Sequence, residues 1–160
     1  MQQQTIFVLV GLAVLAAIIL WIQFRSARDH QVAFEDIPRI FDRLVEAKRD
    51  GSFAVLLFGR DGAAPAKVDA LNVQFSLQEG RVGLDWVLVA PLNVAAQRDV
   101  AAFLRRQGAT ARRREENGVK YLRTEEGDLV RLCQSLLREQ FGVTANQHLR
   151  LIASDFTWRP

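Results

Sequence analysis

The chain has 160 residues, of which 49% are apolar and 24% charged, with a formal net charge of +3 at pH 7. This composition excludes a wholly disordered chain and suits one compact domain with a short appendage. The single cysteine excludes an intramolecular disulfide, and the small net charge argues against a general affinity for nucleic acid.

The first element is an uncharged stretch, TIFVLVGLAVLAAIILWIQF, at residues 5–24. As a helix it would rise about 30 Å, which is enough to cross the hydrocarbon core of a bilayer. Trp21 and Phe24 lie at its end, Arg25 and Arg28 follow, and no basic side chain precedes it. The positive-inside rule then places the amino terminus outside and the rest of the chain in the cytoplasm. A cleaved signal peptide would instead need a basic start and a shorter apolar run. We therefore expect an anchor that binds the bilayer of the cell (inner, cytoplasmic) membrane.

The sequence divides into an anchor, a short tether and one domain. We assign residues 1–24 to the transmembrane anchor, residues 25–34 to a juxtamembrane tether and residues 35–160 to a cytoplasmic domain. The domain opens with a predicted helix from about Asp36 to Asp50, which carries an apolar stripe on one side. The run FAVLLFG that follows has the length and composition of a buried strand.

Two predicted hairpins, each followed by a helix, make up the middle of the domain. In LNVQFSLQ apolar and polar residues alternate, and RVGLDWVLVA returns after a turn at Glu79 and Gly80. A second helix follows, with Asn93 as its predicted N-cap. The dipeptide Asn117-Gly118 then predicts a hairpin with a two-residue turn.

The end of the chain adds a third helix and a last strand. The helix is predicted from about Leu129 to Phe141, with Asp128 as its N-cap and Gly142 at its end, and HLRLIASDFTW is predicted to be a strand. The order α-β-β-β-α-β-β-α-β favours a mainly antiparallel sheet, because tight hairpins join strands that run in opposite directions. We therefore predict an α+β fold in which about three helices cover one side of the sheet.

Asp85 is the one acidic residue within the apolar run RVGLDWVLVAP. Side chains alternate across a strand, so Leu84 and Trp86 share a face that should meet the helices, and Asp85 lies on the opposite face. The expected role is a carboxylate that is solvated or salt-bridged on that face. The alternative is a half-covered acid with a raised pKa, which would make Asp85 a candidate catalytic acid or base.

The predicted hairpin around Asn117-Gly118 is rich in arginine. The two-residue turn places Arg114 opposite Tyr121 and Arg112 opposite Arg123, all on one face of the ribbon. Guanidinium groups around an aromatic ring suit carboxylate or phosphate partners. For such a hairpin the favoured interpretation is a solvated edge whose charges prevent aggregation, and a binding surface is the alternative. The candidate binding residues are Arg105, Arg106, Arg112, Arg114, Tyr121 and Arg123.

No other residues form a recognisable catalytic or metal site in the sequence. Cys133 falls on the inner stripe of the third predicted helix, where a buried apolar role is expected. His30 and His148 have no cysteine, histidine or carboxylate near them at zinc-like spacing. The sequence therefore predicts neither a metal nor a cofactor and favours a protein without enzymatic activity.

These features favour a bacterial single-pass membrane protein whose cytoplasmic domain binds a protein partner at the membrane face. One alternative is an enzyme at the membrane surface that uses Asp85 as acid or base. Another is weak binding of nucleic acid or a different anion through the Arg112–Arg123 hairpin. Nucleic acid is the less favoured partner, because the charge outside the hairpin region is close to zero.

Overall fold

The computed structural model of the chain describes residues 28–64 and 70–158. The predicted anchor at residues 5–24 lies outside the described residues. Among the helices of the described part, none is long and apolar enough to cross a membrane.

The described residues form seven strands and three α-helices. The strands are β1 (Arg28–Ala33), β2 (Phe53–Phe58), β3 (Leu71–Gln78), β4 (Arg81–Val87), β5 (Arg112–Glu116), β6 (Val119–Thr124) and β7 (His148–Ser154). The helices are α1 (Ile37–Ala47), which follows a short 3₁₀ turn, α2 (Pro91–Arg106) and α3 (Leu129–Phe141). The predicted α+β class with an antiparallel sheet and three helices is confirmed.

All seven strands belong to one sheet in the order β1-β7-β2-β3-β4-β6-β5, and every neighbouring pair is antiparallel. Two strands that flank a common antiparallel neighbour run parallel to each other. Helix α1 therefore connects the parallel strands β1 and β2 with β7 between them, and α2 connects β4 and β5 with β6 between them. Within the described residues, the edges of the sheet are β1 and β5.

The core lies between the sheet and the three helices. The ring of Phe41 on α1 packs edge-on against Phe75 on β3, and Phe141 on α3 stacks on Trp86 on β4 at 5.3 Å. The Trp86 indole N–H donates to the carbonyl of Asn93 on α2 at 2.9 Å. Since Phe75 and Trp86 share one face of the sheet, all three helices cover that face and leave the other, which we call the open face, without a helical layer.

Two features of the structure differ from the sequence prediction. The predicted tether contains β1, which pairs with β7 over six residues; its polar sequence, RDHQVA, lacks the alternation that reveals a strand. Asn93 is not the N-cap of α2, because Pro91 already occupies the first turn of the helix. Its buried side chain instead bonds the backbone of Asn72 and Val87, which fastens α2 to β3 and β4.

Candidate functional site

The hairpin of β5 and β6 has the predicted turn and register. Asn117 and Gly118 have φ values of 51° and 78°, as both central residues of a type I′ turn require. The facing pairs are those expected from the Asn-Gly turn: Arg112 with Arg123, Arg114 with Tyr121, and Glu116 with Val119. Because alternate residues share a face, Arg112, Arg114 and Arg123 lie on the open face.

Asp85 also lies on the open face, opposite Arg123 on the neighbouring strand β6. Nη1 of Arg123 lies 2.9 Å from Oδ1 and 3.0 Å from Oδ2 of Asp85, and the Ser76 hydroxyl donates to Oδ2. Asp85 is 1% exposed and Arg123 is 3% exposed. The sequence left open whether Asp85 is solvated or salt-bridged, and the structure shows the salt bridge. The Asp85–Arg123 pair is buried although no helix covers this face.

The Arg123 guanidinium is held on every side. Its Nε donates to Oε1 of Glu125 at 2.7 Å, and its Nη1 also donates to the Ser76 hydroxyl at 2.8 Å. Its Nη2 donates to the carbonyl of Arg81 at 3.0 Å. A buried cation is tolerated only when its donors are satisfied, and this network satisfies them. Arg123 therefore fixes the relative positions of β3, β4 and β6 and has no donor to spare for a ligand.

Gly83 makes room for this guanidinium. A Cβ at Gly83 would lie 2.3 Å from Cζ, 2.5 Å from Nη1 and 2.6 Å from Nε of Arg123, all far below contact distance. The guanidinium thus lies flat against the backbone of β4, in the space that a side chain would occupy. A glycine inside a strand often marks such a close approach, which explains why Gly83 stands between Val82 and Leu84 in β4.

Burial sets the ionisation of this cluster. Burial raises the pKa of Asp85 to about 6, an effect that the charge of Arg123 and the hydrogen bond from Ser76 only partly offset. For Arg123, burial acts to lower the pKa, but the carboxylates of Asp85 and Glu125 outweigh it and raise the pKa. The hydrogen bond from Arg123 lowers the pKa of Glu125. At pH 7 and above, the cluster is therefore an ionised network.

A cationic pocket of about 140 Å³ lies over this network. It is lined by Arg81, Thr110, Arg112, Arg114, Arg123, Glu125 and Glu126. The two glutamates already have partners, since Glu125 contacts Arg123 and Arg81, and Glu126 accepts from the backbone N–H of Thr110. Within residues 28–64 and 70–158, neither Arg112 nor Arg114 has a carboxylate within 4.0 Å. These two exposed arginines are the uncompensated charges of the pocket, which we call the arginine pocket.

The other candidate binding residues lie elsewhere or are occupied. Tyr121 is 8% exposed and its hydroxyl bonds the side chain of Gln78, so it offers no open aromatic platform. Arg105 and Arg106 are exposed in the last turn of α2, but neither lines the arginine pocket. The structure thus brings together Arg112, Arg114 and Arg123 and adds Arg81, Glu125 and Glu126.

The remaining reactive side chains do not form a second site in the described part of the chain. Cys133 is fully buried in α3, and burial raises the pKa of its thiol. No group of three or more histidine, cysteine or acidic residues among the described positions could hold a metal ion.

Sequence reasoning missed Ser76 and Gly83 beside Asp85, and it missed Arg81, Glu125 and Glu126 in the arginine pocket. Ser76 and Gly83 form a facing pair of β3 and β4, so the turn at residues 79–80 together with the alternation could have placed both near Asp85. Arg81 contributes a backbone carbonyl, for which a sequence carries no signal.

Comparisons with protein-family models, with curated proteins and with solved structures found no match for this chain.

Proposed function

We propose that this chain is a bacterial single-pass membrane protein whose cytoplasmic α+β domain is a non-catalytic interaction module. The anchor is the apolar stretch 5–24, with the amino terminus outside and the domain at the inner face of the cell membrane. The partner is a protein that contacts the arginine pocket on the open face of the sheet.

The observation that supports a binding role is the pair of unpaired arginines on a rigid frame. Arg112 and Arg114 are exposed, while the strand that carries them is paired to β6, which the Arg123 network fixes in turn. A preorganised guanidinium loses less conformational entropy on binding, and it recognises carboxylates with directional hydrogen bonds. The partner surface is therefore expected to be acidic.

An enzyme that uses Asp85 is the less well supported alternative. A general acid or base must come within hydrogen-bond reach of the proton that it transfers. Both carboxylate oxygens of Asp85 already accept hydrogen bonds from Arg123, and Asp85 does not line the arginine pocket. Its raised pKa is accounted for by burial within a structural ion pair.

Nucleic-acid binding through the same hairpin is also less well supported. Duplex binding requires several arginines or lysines that can each neutralise a phosphate. In the arginine pocket, Arg123 is neutralised by Asp85, and Arg81 lies 3.5 Å from a Glu125 oxygen. Two free arginines next to two glutamates make a weak electrostatic footprint.

The proposal is tested by crosslinking the tagged full-length chain in its native membranes, followed by extraction in mild detergent and mass spectrometry. The comparison is between wild type and Arg112→Gln/Arg114→Gln, with Arg43→Gln/Arg98→Gln as a control that removes two exposed arginines from the helices. We expect a stoichiometric partner protein with wild type and with the control, and its loss with the first variant. A partner profile that is identical for all three proteins would contradict the proposal.

A further inference from the structure

We infer that β5 is a homodimer interface, at which the β5 strands of two copies of this chain pair antiparallel about Arg114. The inference goes beyond the proposed function, because it assigns a second copy of the chain to the edge of the sheet. Its basis is the coincidence of three features of the segment Arg112–Glu116: its position, its free backbone groups and its charge sequence.

The position is the exposed edge of the sheet. β5 pairs with β6 alone, and all five of its residues are exposed. An edge strand presents a row of unpaired N–H and C=O groups, which is a template for another strand unless something covers it. No described part of the chain covers β5.

The free backbone groups follow from the turn. A two-residue type I′ turn is flanked by a hydrogen-bonded pair, here Glu116 with Val119, and such pairs alternate along an antiparallel ladder. The N–H and C=O groups of Arg113 and Glu115 therefore point away from β6. The carbonyl of Lys120, which lies opposite Glu115, accepts from the backbone N–H of Leu88, the residue after β4, at 2.8 Å, as this alternation requires.

The charge sequence of β5, RRREE, is complementary to itself when two copies run antiparallel. With Arg114 opposite Arg114 of the second copy, Arg112 faces Glu116 and Arg113 faces Glu115 in both directions. Four of the five facing positions thus join opposite charges, which favours this register. In the same register Arg113 and Glu115 form hydrogen-bonded pairs, so the free backbone groups of both copies meet.

The central Arg114 pair is the one unfavourable contact, and it connects the dimer to the binding site. The two Arg114 side chains would lie side by side on the open face, where they join the arginine pockets of the two copies. An acidic group of a partner would relieve their repulsion. A five-residue edge contact is small, but anchoring in one membrane raises the effective concentration of the two copies.

The test is disulfide formation in the full chain reconstituted in lipid vesicles, with Cys133 replaced by serine. In the proposed register the Cα atoms of residue 114 in the two copies lie about 4.5 Å apart, within disulfide range. Residue 112 of each copy lies four positions away along the strand, at about 13 Å, and is out of range. We expect Arg114→Cys to form a disulfide dimer at least tenfold faster than the matched variant Arg112→Cys.

Charge reversal on β5 provides a second test of the proposed register. In the Arg114→Cys background, Arg112→Glu/Arg113→Glu makes the strand acidic, and Glu115→Arg/Glu116→Arg makes it basic. Each charge-reversal variant alone should form the disulfide at least tenfold more slowly than Arg114→Cys, because its two β5 strands carry the same charge. An equimolar mixture of the two variants, reconstituted together, should recover the rate of Arg114→Cys, because the acidic strand attracts the basic one.

Three results would overturn the inference. The first is the same rate for Arg114→Cys and Arg112→Cys, which indicates random collision or a different register. The second is no disulfide at residue 114, and the third is a mixture that crosslinks no faster than its components. None of these results bears on the arginine pocket as a partner site, since the copurification experiment scores a protein other than this chain.

Discussion

Replacing Gly83 with alanine tests whether the Arg123 guanidinium is seated against the backbone of β4. The added Cβ would lie 2.3 Å from Cζ of Arg123, so the guanidinium has to move. It cannot move without breaking its hydrogen bonds to Asp85, Ser76 and Glu125. Displacement leaves Asp85 buried without its cation.

The expected change in the free energy of unfolding follows from the loss of this ion pair. Separating a buried carboxylate from its cation costs about 3–5 kcal/mol, and replacing a strand glycine by alanine returns about 0.5–1 kcal/mol. We therefore expect Gly83→Ala to lower the free energy of unfolding by about 2–4 kcal/mol at pH 7.5. In an Arg123→Ala background the clash is absent, so the same change should be neutral or stabilising by up to about 1 kcal/mol.

The assay is urea unfolding of the full chain in detergent, followed by tryptophan fluorescence. Trp21 is replaced by phenylalanine, so the signal comes from Trp86 and Trp158 in the domain, both of which are buried. A double-mutant cycle then gives the coupling between residues 83 and 123. Additive effects of Gly83→Ala and Arg123→Ala would refute the seating of the guanidinium on Gly83.

Three further predictions concern the ion pair, the α2 contact and the anchor. Because folding raises the pKa of Asp85, this carboxyl group adds to the free energy of unfolding below pH 3.8. That contribution is lost as the pH rises through about 6. Without Arg123 the pKa of Asp85 rises further. The loss in the free energy of unfolding caused by Arg123→Met, measured by urea unfolding, should therefore be larger at pH 8 than at pH 5. An equal loss at both pH values would contradict the ion pair. Asn93→Ala leaves three backbone groups unpaired and should lower the free energy of unfolding by about 2–4 kcal/mol. The control Val94→Ala, at an exposed neighbouring residue, should lower it by less than about 0.5 kcal/mol. Equal losses for the two variants would contradict this contact. In spheroplasts, an impermeant maleimide should label Gln3→Cys directly but Arg98→Cys only after permeabilisation, whereas the reverse pattern would overturn the proposed orientation.

Local patterns predicted much of the fold. The N-cap Asp128 and the terminal Gly142 of α3 are where the sequence placed them, because helix caps depend on a few neighbouring residues. The Asn-Gly turn fixed the facing residues of β5 and β6 for the same reason. The alternation in β4 correctly placed Asp85 on the face away from the helices.

Local patterns did not predict which strands pair when they lie far apart in the sequence. Asp85 and Arg123 lie 38 positions apart, and they meet only because β6 pairs with β4 rather than with another strand. No local periodicity encodes that choice, so Arg123 was expected to be an exposed cation and Asp85 had no predicted partner. The strand β1 escaped notice because its burial depends on β7, which lies at the far end of the chain.

The most direct test of the proposed interaction module is site-specific photocrosslinking in native membranes. A benzophenone amino acid replaces Arg81, an exposed residue that lines the arginine pocket but lies outside β5, and the control replaces Arg43 on the exposed side of α1. We predict a crosslink from position 81 to one partner protein, which is lost in the Arg112→Gln/Arg114→Gln variant, and no such crosslink from position 43. Crosslinks from position 43 but not from position 81, or from position 81 to lipid alone, would contradict the account.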